Sequence, residues 1–159
     1  MIKVEKDNKV VEYEYNNQNL LSKILHGNKE YHFTYDEFLN TKDISIGNQK
    51  LITNNYAENN GNLVSSIYGN GDTISYEYDE FDRIKKINKM NDSYTNYYDN
   101  LGNIAKVKSK NHNYNYYYDV SKRLTDYYYD DFHINYEYDG KSNVEKKEFN
   151  NDDYISYEY

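Results

Sequence analysis

The stretch YEYDEFDRI, residues 76–84, decides how this chain folds. Its first residues alternate, so Tyr76 and Tyr78 share one face of an extended strand and Glu77 takes the other. Asp79 follows at once, and a short acidic side chain there caps a turn by accepting from a backbone N–H two residues on. Arg83 and Ile84 then open a second extended segment. The segment reads as strand, capped turn, strand.

The unit recurs. With the second tyrosine of each Tyr-x-Tyr as anchor, the anchors are Tyr15, Tyr35, Tyr56, Tyr78, Tyr98, Tyr118, Tyr138 and Tyr159, spaced 20, 21, 22, 20, 20, 20 and 21 residues apart. So small a drift over seven intervals marks a tandem repeat. Asn16, Asp36, Asp79, Asp99, Asp119 and Asp139 follow their anchors directly. Arg or Asn stands five residues after the anchor at Asn40, Arg83, Asn103, Arg123 and Asn143. Next comes a mostly apolar position (Leu21, Ile84, Ile104, Leu124, Val144), and three further on another (Ile24, Ile44, Ile87, Val107, Tyr127). Thr41 and Lys147 break these columns, and the copy after Tyr56 carries one extra residue, displacing Asn62 and Leu63. Apolar positions three apart do not fit strict alternation, so either a bulge intervenes or the first of them sits in the turn.

A second turn precedes each tyrosine strand, at Asp7-Asn8, Gly27-Asn28, Gly47-Asn48, Gly69-Asn70-Gly71, Asn91-Asp92, Asn111-His112, Asp130-Asp131 and Asn150-Asn151. These are residue types that tolerate the positive φ of tight hairpins. The expectation is one all-β domain over residues 1–159, about eight tandem hairpins forming one long, curved antiparallel sheet, a partial shell or solenoid-like array. The chain starts on a second strand and ends on a tyrosine strand, without a polar cap at either end. Open edges of this kind invite a protein partner or self-association.

Composition narrows the function. The net charge of −8 disfavours a nucleic-acid backbone as partner. There is no cysteine, so disulfides and thiolate metal sites are excluded. No 18-residue apolar run is present, so membrane insertion by a helix is not expected. The opening MIKVEKDNKV carries charges where a signal peptide needs an apolar core, so export would depend on a larger parent protein or a dedicated machine. Twenty-three tyrosines separate the chain from disordered sequences, which are poor in aromatics.

The candidate chemistry is sparse. The column Asp79, Asp99, Asp119 and Asp139 offers carboxylates, but glycoside hydrolysis needs two in unlike environments and a repeat supplies like ones. Turn capping is the better reading. Asp130-Asp131 and Asn150-Asn151-Asp152-Asp153 cluster oxygens without a calcium-loop pattern and read as solvated turns. The histidines His26, His32, His112 and His133 lack metal-ligand spacing. No cofactor is expected. Arg83 and Arg123 share one repeat position, where their stems would lie across neighbouring tyrosine rings. Anchor and anchor-minus-two residues should form aromatic ladders on one face, as with Tyr76 and Tyr78 or Tyr116 and Tyr118. The opposite face carries Glu14, Thr34, Asn55, Glu77, Tyr97, Tyr117, Glu137 and Glu158 and should be wet. On it, Tyr97 and Tyr117 are the candidate ligand-binding residues, as adjacent exposed aromatics able to stack on a sugar ring or anchor a partner.

At YEYDEFDRI (76–84), YYDNLGNI (97–104), YYYDVSKRL (116–124) and NYEYDGKSNV (135–144) the chain resembles the YD-repeat, or Rhs-repeat, family. The resemblance covers essentially the whole chain and is weakest between Leu39 and Gly71. It implies a sheet that winds into a hollow shell, as in bacterial polymorphic toxins, insecticidal toxin complexes and teneurins. It also implies a non-catalytic structural or interaction module, extracellular or at a cell surface within a larger exported protein. Complete bacterial shells are many times longer and end in a proline-containing motif linked to self-cleavage. This chain has no proline, so self-cleavage is not expected. The alternative is a carbohydrate- or cell-wall-binding repeat module, since such repeats also form hairpins near twenty residues long. Those are rich in glycine and often tryptophan, whereas this chain has seven glycines and no tryptophan.

Overall fold

The computed structural model describes residues 2–6, 9–150 and 153–159. It contains strands joined by turns, and the strand order in the sheet follows the chain, with neighbouring strands running antiparallel. The Asp7-Asn8 turn and most of the turn at Asn150-Asn151 fall outside the described residues.

Two compact units divide at Glu77 and Tyr78. The first carries β1 (Ile2–Lys6), β2 (Lys9–Tyr15), β3 (Leu21–His26), β4 (Lys29–Tyr35), β5 (Thr41–Ile46), β6 (Gln49–Tyr56), β7 (Leu63–Tyr68) and most of β8 (Thr73–Tyr78). The second carries β9 (Ile84–Lys89), β10 (Asp92–Tyr98), β11 (Ile104–Lys108), β12 (Asn113–Tyr118), β13 (Leu124–Tyr129), β14 (Phe132–Tyr138), β15 (Val144–Phe149) and β16 (Tyr154–Ser156). The last anchor, Tyr159, lies beyond β16 and is 78% exposed.

A bulge resolves the three-residue spacing. Tyr98 pairs with Ile104 but Tyr97 pairs with Lys106, leaving Ala105 without a partner in the register. The same slip skips Ser22, Lys42, Val64, Thr125 and Glu145 in their hairpins. An extra residue in the strand returns the next apolar side chain to the face of the first. Ile104, opposite Tyr98, and Val107, opposite Asn96, therefore share one face.

The tight turns differ in detail from the sequence reading. Gly27-Asn28, Gly47-Asn48 and Asp130-Asp131 are the two residues between paired strand ends, with φ of 61°, 53° and 49° at their first members. Asp92 instead pairs with Lys89, so that loop is Met90-Asn91, one residue earlier than expected. The Asn111-His112 turn is a longer loop, closed by Ser109 N–H donating to the His112 carbonyl at 2.9 Å.

No apolar side chain is buried among the described residues; Ser66 and Ser109, at 6% and 7%, are the only residues that are. Each unit is thus stabilised across its strands, by ladder bonds and cross-strand side-chain pairs. Tyr116 meets Tyr127 at 5.4 Å between centroids, and Tyr114 stacks on Tyr129 at 5.0 Å. Lys147, which interrupts the apolar column, holds its ammonium 5.7 Å from the Tyr136 ring centre and 5.5 Å from that of Tyr157.

Candidate functional site

The repeated chemistry sits at the turn after each anchor. Asp79 Oδ1 accepts from the N–H of Phe81 at 2.9 Å and of Arg83 at 3.0 Å. Asp36, Asp99, Asp119 and Asp139 each accept from the residues two and four on in the same way. Asn16 does so with its amide oxygen. Tyr56 is followed by Ala57, and there Asn60 Oδ1 accepts from Asn62 N–H at 3.1 Å instead.

The second carboxylate oxygen explains why Arg and Asn alternate five residues after the anchor. Arg83 Nε and Arg123 Nε donate to Oδ2 of Asp79 and Asp119, both at 2.7 Å. Asn40, Asn103 and Asn143 donate to the equivalent oxygens of Asp36, Asp99 and Asp139 at 3.1, 2.9 and 2.9 Å. These bonds hold the carboxyls below the ordinary aspartate range, led by the side-chain bond from Arg83 for Asp79 and from Asn103 for Asp99.

The arginines reach further. The Arg83 guanidinium lies 4.1 Å from the Tyr98 ring centre, and that of Arg123 lies 4.6 Å from the Tyr138 centre. The residue four after each anchor is left-handed: Asn19, Leu39, Asp82, Lys122 and Ser142, with φ of 57–70°, and Gly102 at 83°. In the enlarged turn after Tyr56 it is Gly61, at 71°.

The anchor hydroxyls have a role that strand alternation does not show. Tyr35, Tyr98, Tyr118 and Tyr138 donate to the carbonyls of Leu21, Ile84, Ile104 and Leu124 at 2.7, 2.8, 2.9 and 2.8 Å. Tyr56 donates to Thr41 at 2.9 Å. Each acceptor opens a preceding strand, so the hydroxyl ties the tyrosine strand to the start of that strand. The signal in the sequence is tyrosine at every anchor, where phenylalanine would pack as well.

On the other face, Tyr97 and Tyr117 are 49% and 55% exposed. They are not adjacent. Tyr97 opposes Lys106, which in turn opposes Asn115, and Tyr117 lies two residues beyond that. Tyr117 packs edge-on against Tyr128 at 5.7 Å, and Tyr128 stacks on His133 at 4.2 Å. His133 Nε2 is 3.0 Å from Asp126 Oδ1, and His112 Nδ1 is 2.7 Å from Asp130 Oδ2. Among the described residues no three His, Cys, Asp or Glu side chains converge on a possible metal position; Asn151 and Asp152 lie outside those residues.

The chain has no match among curated proteins. It is similar in fold to solved Tc toxin structures. Crystal structures of TcdB2-TccC3-Cdc42, and of TcdB2-TccC3 without its hypervariable C-terminal region, superpose with a TM-score of 0.78 at 14% identity. A Tc holotoxin pore from Photorhabdus luminescens carrying a TccC3 variant gives 0.77, also at 14% identity. In each case 89% of this chain is covered but only 9% of the other. The model of the teneurin YD-shell family matches residues 1–159, so the chain belongs to that family, one of structural shell modules.

Proposed function

We propose that the chain is a non-catalytic segment of a YD shell, acting through its surfaces and strand edges within a larger secreted or cell-surface protein. The observation that carries this is the use to which every repeat puts its polar residues. Each aspartate of the anchor column has both oxygens engaged in its own turn, as at Asp79 and Asp119. Such like carboxylates, each engaged in its own turn, are suited to holding a hairpin and unsuited to paired acid–base chemistry. The relatives support an extracellular setting and protein partners, as complexes of Tc toxin components. β1 and β16 each pair on one side within this chain, so an adjoining strand, from a partner or a second copy, fits either edge.

The second reading, a glycan-binding repeat, rests on the exposed rings of Tyr97 and Tyr117. A pull-down of the folded chain on bacterial cell walls and a glycan panel separates the two. The shell reading predicts no specific retention. Saturable retention that is lost in the Tyr97→Ala, Tyr117→Ala double variant overturns it. Light scattering over a range of concentration tests edge pairing, for which the mass should rise with concentration.

A further inference from the structure

YDEFLN (35–40) and YDEFDR (78–83) are two copies of one turn, differing in their last two residues. In the second copy the Arg83 guanidinium meets two rings, 5.0 Å from the Phe81 ring centre and 4.1 Å from that of Tyr98. Its Nη2 and Nε lie 2.6 and 2.7 Å from Asp79 Oδ2. Arg123 repeats the contact over a single ring, Tyr138, with Asp119 as its partner and Ser121 where Phe81 would be.

The first copy keeps the same walls without the arginine. Phe38 stands where Phe81 does, Asp36 where Asp79 does, and Tyr56 is the next anchor, as Tyr98 is. In place of a guanidinium there is the short amide of Asn40, 3.1 Å from Asp36 Oδ2. An open groove results, lined among others by Phe38, Tyr56, Asp36, Glu37, Glu58 and Lys42. Its lining holds three carboxylates and one ammonium, so it favours a cation. Phe38 is 63% exposed, so one wall stands free.

We propose that this groove binds an arginine side chain of a partner polypeptide, stacked between Phe38 and Tyr56 with its guanidinium on Asp36. The occupant is argued from the molecule's own repeats, which seat a guanidinium between an aromatic pair and an aspartate at Arg83. A planar cation with a fork of donors satisfies a ring face and a carboxylate together, whereas an ammonium presents no flat face. The site does not depend on the shell reading, because a segment with no role in a shell would still carry it.

The test is an NMR titration of the full chain with N-acetyl-arginine N-methylamide, following the ring resonances of Phe38 and Tyr56. A matched citrulline compound, of the same shape but uncharged, is the control. Saturable shifts with a millimolar Kd are expected, at least about tenfold weaker with citrulline. Asn40→Arg should fill the seat from within, abolish binding and raise the melting temperature. Asp36→Asn should keep the turn, as Asn16 does in its own repeat, yet weaken binding at least about tenfold. The proposal is overturned by equal shifts with citrulline, by undiminished binding in folded Asn40→Arg or Asp36→Asn protein, or by no saturable shift at about 20 mM probe.

Discussion

The Tyr118 hydroxyl donates to the Ile104 carbonyl at 2.9 Å, tying the end of one strand to the start of its neighbour. Tyr98 makes the same bond to Ile84, but there Asn96 Nδ2 also donates to that carbonyl, at 2.9 Å. Loss of a part-buried hydrogen bond costs about 0.5–1.5 kcal/mol, and less where the acceptor keeps another donor. Tyr118→Phe should therefore lower the melting temperature more than Tyr98→Phe. Tyr118→Ala, which also removes the ring, should cost about 2 kcal/mol or more. Glu137→Ala, on the exposed face with a 3.7 Å ion pair to Lys146, should stay within about 1 kcal/mol. Thermal melts of the four variants check the order.

Leu39 sits at φ 66° with its side chain 45% exposed. A left-handed non-glycine residue costs about 1–2 kcal/mol, and little apolar burial is lost on removing this one. Leu39→Gly should stabilise the chain by about 1 kcal/mol. Gly102→Ala, at φ 83°, should destabilise it by a similar amount. Urea denaturation midpoints give both signs.

Arg83 has two separable tasks. Asparagine at that repeat position still donates to the turn aspartate, as Asn103 does at 2.9 Å. Arg83→Asn should thus keep one donor to the turn and lose the ring contacts and the second guanidinium contact to Asp79, about 1 kcal/mol in all. Arg83→Leu also leaves Asp79 Oδ2 without that donor and should melt clearly lower than Arg83→Asn. If both variants melt alike, the guanidinium is not holding the turn.

Acid should unfold the array through its turns. Asp79, Asp99 and Asp139 are lowered from the ordinary value of 3.8, chiefly by side-chain bonds from Arg83, Asn103 and Asn143. Asp119 is lowered chiefly by the Arg123 backbone N–H. For Asp36 burial works against ionisation, yet the Asn40 side chain and the backbone donors outweigh it. Groups with depressed folded values add stability that is present above the unfolded value and lost as pH falls through the folded ones. Melting temperature should hold above pH 3.8 and drop below it, and an Asp79→Asn, Asp99→Asn double variant should show a shallower drop.

Much of this was legible in the sequence. Period-two alternation with capping Asp marked the strands and turns, because each repeat states the same local rules. What was not legible lay one strand away. Whether Ile104 and Val107 straddled a bulge depended on register, which a single strand does not carry. The exchange of Arg for Asn became intelligible once both were seen to donate to the same Asp oxygen. Tyrosine rather than phenylalanine at Tyr118 reflects a carbonyl fourteen residues earlier. Lys147 interrupts an apolar column in the sequence, but in space its ammonium meets two rings. Tyr97 and Tyr117 looked adjacent as repeat equivalents, yet equivalent strands in a hairpin array are separated by the intervening one.

The most direct measurement is residue-resolved hydrogen exchange of the full chain. Protection is expected to recur with each repeat, in ladder amides of strands such as β4, β10, β12 and β14, with fast exchange at exposed turn residues such as Glu37, Glu80 and Gly140. Protection confined to one stretch, or spread with no relation to the anchors, would contradict a sheet built from equivalent, cross-tied hairpins.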